Sequence, residues 1–122
     1  MQSIRFTPQQ EQIFGQALQR YGPNAQLEQT SEECLELALA IRKLKRAREA
    51  RDFDPTDQMK QRHCELISEI ADVIIMTKQC TIIYPVEMIQ AEVDRKLQRQ
   101  FERMNPLNDN PNSALKYKNS FL

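Results

Sequence analysis

The stretch from Cys64 to Met76 reads Cys-Glu-Leu-Ile-Ser-Glu-Ile-Ala-Asp-Val-Ile-Ile-Met. Wound as a helix, it is apolar on nearly every side, and a helix of that kind is normally buried. Its exceptions are Glu65, Ser68, Glu69 and Asp72, which follow one another at offsets of three, four and seven from Glu65 and so line one row. Taking an unpaired carboxylate out of water is very costly, so an acidic row on an apolar helix implies pairing, protonation or a cation. Any fold for this chain must cover this helix and answer its carboxylates.

A second acidic segment precedes it. Ser31-Glu32-Glu33-Cys34-Leu35-Glu36 holds three glutamates within five positions. At about 100° per residue, Glu32, Glu33 and Glu36 share one arc, which continues along the helix as Ala40, Lys43 and Ala47. Like charges three or four apart weaken a helix by roughly 0.2–0.5 kcal/mol per pair, so something compensates if that face is not fully wet.

The rest of the chain reads as helix too. Only two glycines occur, Gly15 and Gly22, too few for the turns of an all-β protein, so the expected fold class is all-α. Thr7-Pro8-Gln9-Gln10 opens a first helix, with Thr7 as cap, Pro8 in the first position and Gln10 closing a capping box. It runs to about Arg20, and Tyr21-Gly22-Pro23-Asn24 breaks it. A second helix spans about residues 24–51, with Leu27, Thr30, Cys34, Leu37, Ile41 and Leu44 as a coiled-coil-like seam. Asp54-Pro55-Thr56-Asp57 is a strong start for a third helix, which continues to about Ile83 before Tyr84-Pro85 interrupts it. A fourth helix over residues 86–104 carries Val86, Ile89, Val93, Leu97, Phe101 and Met104 along one face. The expected organisation is a helical domain over residues 1–104 and an irregular tail over residues 105–122, rich in Asn, Pro and Ser.

Charge and composition narrow the function. Seventeen basic residues balance seventeen acidic ones, which argues against a nonspecific nucleic-acid binder. No apolar run approaches the length of a membrane span, and residues 1–7 lack an apolar signal core, so a cytoplasmic protein with no membrane partner is expected. Cys34, Cys64 and Cys80 form no CxxC pair and read as small hydrophobes in a reducing compartment.

Two acidic rows on adjacent antiparallel helices can face each other, and carboxylate oxygens suit a hard cation, Mg²⁺ or Mn²⁺. The plain alternative is a pair of solvated acidic faces, or salt bridges to the many arginines. A di-iron carboxylate bundle would want Glu-x-x-His on two helices. The lone histidine, His63, has no glutamate three positions before it and reads as a surface residue.

At these residues the chain resembles the MazG-like all-α nucleoside triphosphate pyrophosphohydrolases, a superfamily that includes the dimeric dUTPase and dCTP pyrophosphatase types. Its signature is Glu-Glu-x-x-Glu on one helix and Glu-x-x-Asp on the next, matched here by Glu32-Glu33-Cys34-Leu35-Glu36 and Glu69-Ile70-Ala71-Asp72. The likeness covers roughly residues 26–103. The stretch between the motifs is longer than the family's usual spacing, and the extra residues fall around residues 48–57.

The resemblance implies Glu33, Glu36, Glu69 and Asp72 as ligands of Mg²⁺ (Mn²⁺ possible), with Glu32 as a supporting catalytic acid. It also implies substrate contacts from Gln26 and from Lys96, Arg99 and Arg103, which share one face of the fourth helix. Relatives often carry an Asn between such basic residues, whereas this chain reads Arg99-Gln100-Phe101. The implied reaction is attack of water on the α-phosphorus of a nucleoside triphosphate, giving the monophosphate and pyrophosphate, with Glu32 or Glu65 accepting the proton. Phe14, Tyr21, Phe53 and Tyr84 are candidates to stack on the base.

Two long helices cannot cover both sides of an acidic seam, so a homodimer completing a four-helix bundle, or a dimer of dimers, is expected. Its contacts would be the 27–44 seam with Ile67, Ile70, Ile74 and Ile75. The competing class is a non-catalytic helical nucleotide-binding or protein-interaction module.

Overall fold

A computed structural model describes residues 2–49 and 57–106. Among them every regular element is an α-helix: α1 (Pro8–Tyr21), α2 (Pro23–Glu49), α3 (Asp57–Thr81) and α4 (Val86–Met104). The Asp54-Pro55 helix start, Phe53 and the tail from residue 107 onward lie outside the described residues.

The helix ends follow local chemistry. Thr7 caps α1 through a reciprocal box: the Gln10 backbone N–H donates to Thr7 Oγ1 at 3.2 Å, and the Thr7 N–H donates to Gln10 Oε1 at 2.8 Å. Gly22 ends α1 at φ 84°, a region open to glycine without a Cβ penalty, and its N–H donates to the Leu18 carbonyl at 2.9 Å. The α3 helix closes in tight turns, with Ile83 N–H on the Cys80 carbonyl at 3.1 Å, two residues ahead of Pro85.

Helices α2 and α3 pack antiparallel, with Thr30 set against Met76 and Cys80 while Glu36 and Lys43 lie near Glu69 and Glu65. The row that α2 turns inward is Gln26, Thr30, Glu33, Leu37, Ala40, Leu44 and Ala47, all buried or half-buried. This corrects the seam expected from apolar periodicity: Leu27, Cys34 and Ile41 are exposed. The inward row includes the polar Gln26 and Glu33, which an apolar pattern passes over, and the small Ala40 and Ala47, which take little room at a helix contact.

The matching row on α3 is Met59, Arg62, Leu66, Glu69, Val73, Met76 and Cys80, again all half-buried. A glutamate therefore sits at a seam position on each helix. The α3 helix does not achieve the burial its composition suggests, since Ile67 is 66% exposed and Ile70 and Ile75 are exposed too. Its one buried residue is Gln79.

Helix α1 docks on the end of α3. Phe14 is buried and meets Phe6 edge to face, and Lys78 pairs with Glu11 at 3.5 Å. The pin between them is Gln79, 3% exposed, whose Nε2 donates to the Phe14 carbonyl at 2.7 Å.

Residues up to Tyr84 form one compact unit, and the chain from Pro85 forms a second. Within the second, α4 buries no residue, and Val86, Val93, Leu97, Phe101 and Met104 are exposed along it.

Replacing Gln79 by Ala removes the pin and leaves its cavity empty. The expected loss in urea unfolding is about 1–3 kcal/mol. A change within roughly 0.5 kcal/mol, the scale of ordinary surface substitutions, would show that α1 is held by its apolar contacts alone.

Candidate metal centre between helices α2 and α3

The inward row of α2 delivers Glu33 to the seam, and the next position but two, Glu36, stands on its exposed flank. The row of α3 delivers Glu69 opposite them. One carboxylate oxygen from each of Glu33, Glu36 and Glu69 lies within 4.8 Å of the others. The two motifs, distant in sequence, thus meet in space.

The surroundings of the three carboxylates are unequal. Glu33 Oε1 accepts from Gln29 Nε2 at 2.8 Å, one helical turn earlier. Glu33 Oε2 and Glu69 Oε2 are buried with no hydrogen-bond partner. A buried acceptor left without a partner costs about 1–3 kcal/mol, more when charged. Glu36 bears the electrostatic consequence. The negative charge of Glu33, then that of Glu69, pushes its carboxyl above the ordinary carboxylate value, with burial, a hydrogen bond with Glu33 and the charge of Asp72 adding to this.

Beside the trio is an open cleft of about 320 Å³, lined by Glu36, Leu39, Ala40, Lys43, Glu65 and Glu69. Glu65 is held by Arg62 at 3.0 Å and by Gln61 Nε2 at 3.2 Å. Lys43 makes no ion pair among the described residues, and it brings a positive charge to an otherwise acidic wall.

The expected site residues divide as follows. Glu33, Glu36 and Glu69 are brought together. Asp72 is half-buried on the same helix as Glu69 and near enough for Glu36 to feel its charge, but it lies outside the tight group. Glu32 is exposed and joins neither the group nor the cleft lining. Gln26 is buried two helical turns before Glu33, and its carbonyl accepts from the Thr30 hydroxyl at 2.7 Å.

Lys96, Arg99 and Arg103 lie on α4, in the second unit. There the charges of Lys96 and Arg99 join Arg95, whose hydrogen bond and charge come first, in holding the Glu92 carboxyl below its ordinary value. Sequence reasoning missed Gln29 and the place of Lys43 in the cleft. Gln29 was detectable, since a glutamine four residues before a glutamate is a standard helical pairing.

Three oxygen donors from two helices, two of them with orphaned buried oxygens, fit a hard divalent cation in number and kind. No protein-family profile, curated protein or solved structure matches the chain.

The raised value at Glu36 fixes the sign of a pH effect in chelator-treated protein. The folded chain holds this proton more tightly than the unfolded chain, so the contribution is full below the ordinary value of 4.5 and is lost as pH rises through the raised one. The thermal midpoint should therefore fall across that window, and Glu36→Gln should flatten the fall and raise the midpoint at neutral pH. A variant no more stable than the parent at neutral pH would show that the three charges do not repel.

Proposed function

We propose that this chain hydrolyses a nucleoside or deoxynucleoside triphosphate to the monophosphate and pyrophosphate, using Mg²⁺ held by Glu33, Glu36, Glu69 and Asp72. Mn²⁺ would serve in the same oxygen cage. The observation that carries the reading is the convergence of three carboxylates from two helices with two buried oxygens left unanswered. The likeness of Glu32-Glu33-x-x-Glu36 and Glu69-x-x-Asp72 to the MazG-like pyrophosphohydrolase signature supports the same chemistry.

Bound there, Mg²⁺ would neutralise phosphate oxygens and ease deprotonation of the attacking water. The chain's own groups would do the rest. Gln29 orients Glu33 by taking one of its oxygens. Water attacks the α-phosphorus, the bond to the bridging oxygen breaks, and pyrophosphate leaves with the electron pair. Glu65 is better placed than Glu32 to take the water's proton, because Glu65 lines the cleft and Glu32 does not. Lys43 offers its ammonium to the phosphate chain from the same wall. Gln26, Lys96, Arg99 and Arg103 remain assigned to the substrate on the family likeness alone.

A second copy of the chain would cover the apolar surface this one leaves open, including Leu27, Ile41, Ile67 and Ile70. A homodimer or a dimer of dimers is therefore part of the reading. The exposed apolar face of α4 also suits a non-catalytic interaction module. That reading stands second, because it gives no reason to bury carboxylates without partners.

Purified protein incubated with each triphosphate and Mg²⁺, with products separated by anion exchange, should yield monophosphate and pyrophosphate. Chelator should stop the reaction. Glu36→Gln and Asp72→Asn should each lower turnover at least about a hundredfold with helix content by circular dichroism unchanged. Full activity in both variants would overturn the assignment.

Sedimentation should show a dimer or larger, and Ile67→Glu should shift it toward monomer. A monomeric parent would remove the second copy from the reading.

A further inference from the structure

Neighbouring side chains decide which oxygens around the three carboxylates are left for a cation. Glu33 Oε1 accepts a hydrogen bond from Gln29 Nε2 at 2.8 Å, while Glu33 Oε2 is buried with no partner. An ionised carboxylate only accepts, so Gln29 must present its NH₂ group to it. Gln29 is exposed and Glu33 half-buried, one helical turn apart on α2. The bond therefore engages the outer oxygen and leaves the buried one open.

Glu65 is closed off in the same way. Its Oε2 accepts from Arg62 Nη1 at 3.0 Å, and its Oε1 from Gln61 Nε2 at 3.2 Å. Both oxygens of this carboxylate are engaged, although it lines the cleft beside the cluster. One oxygen from each of Glu33, Glu36 and Glu69 converges within 4.8 Å.

Oxygen count is what separates the common hard cations. Mg²⁺ wants an octahedron at about 2.0–2.1 Å, with a few carboxylate oxygens and water or phosphate in the other positions. Ca²⁺ gathers about 6–8 oxygens at roughly 2.3–2.6 Å, often through carboxylates that bind with both oxygens. A carboxylate pinned through one oxygen offers the other singly, which suits the smaller ion.

We infer that Gln29 is a positioning residue that confines Glu33 to a single ligand oxygen, so that the centre takes Mg²⁺ and discriminates against Ca²⁺. The inference rests on the metal role proposed above for the three carboxylates.

The discriminating variant is Gln29→Met, which keeps the length and helical preference of the side chain and removes its donors. Ca²⁺ then gains the freed oxygen. Mg²⁺ gains nothing and loses the support that orients its ligand. Gln90→Met is the matched control, since Gln90 donates to Asp94 at 2.9 Å across the same helical spacing on α4.

Chelator-treated full-length protein is titrated with Mn²⁺ and followed by electron paramagnetic resonance, and the bound Mn²⁺ is then displaced by Mg²⁺ or by Ca²⁺. The ratio of the two displacing concentrations should move toward Ca²⁺ on the order of tenfold in Gln29→Met, and stay at the parent value in Gln90→Met. A merely structural role for Gln29 would weaken both cations alike and leave the ratio in place. Bound Mn²⁺ with an unmoved ratio in Gln29→Met, or an equal move in Gln90→Met, overturns the role of Gln29 and keeps the metal centre. A parent that binds no Mn²⁺ overturns the centre and this inference with it. A parent that shows the selectivity yet hydrolyses no triphosphate keeps the centre and overturns the reaction.

Discussion

The rest of the structure depends on what two helices do with glutamates at positions where a bundle normally puts leucine. Glu33 on α2 and Glu69 on α3 both occupy the inward rows, each with one oxygen buried and unanswered. Their repulsion is concentrated on Glu36, the exposed member of the group, which resists ionisation as a result. Apolar contact alone offers little to offset it, since the buried apolar side chains among the described residues are Phe14, Ala40, Leu44 and Ala47. The helix pair is held together in spite of its most distinctive feature, and that tension is the strongest argument that the feature has a use.

Support comes from polar contacts placed around the carboxylates. Gln29 takes one oxygen of Glu33, Arg62 neutralises Glu65, and the Thr30 hydroxyl bridges its own helix to Cys80 at 3.2 Å. At the far end, Gln79 ties α3 to α1. Each is a local device that a short chain can encode with one side chain. Among these contacts the one from Thr30 crosses from α2 to α3, and the register of that pair determines which carboxylates meet.

Much of the fold was legible in the sequence because its signals are local. The Thr7–Gln10 box, the break at Gly22-Pro23 and the span of α4 depend on neighbours a turn away, and the structure places them where the residues indicate. The pairing of Glu33 and Glu36 with Glu69 was legible from two short motifs in order. The phase of the seam was not. Apolar periodicity favours Leu27, Cys34 and Ile41, but Gln26, Glu33 and Ala40 face inward instead, two of them polar residues that an apolar pattern passes over. A cleft beside Phe14 was equally hidden, since it joins residues 6–14 to Ile75 and no local pattern links them.

Ala40 is the quietest residue in this arrangement. It is buried, and it lines the acidic cleft between Glu36 and Glu69. A methyl group takes the least room of any side chain with a Cβ, so at a buried position in the cleft wall any larger residue has to displace its neighbours. A chain with serine or valine there would keep every acidic residue and still present a different mouth. The dimensions of the site are thus written in a side chain that has no chemistry of its own.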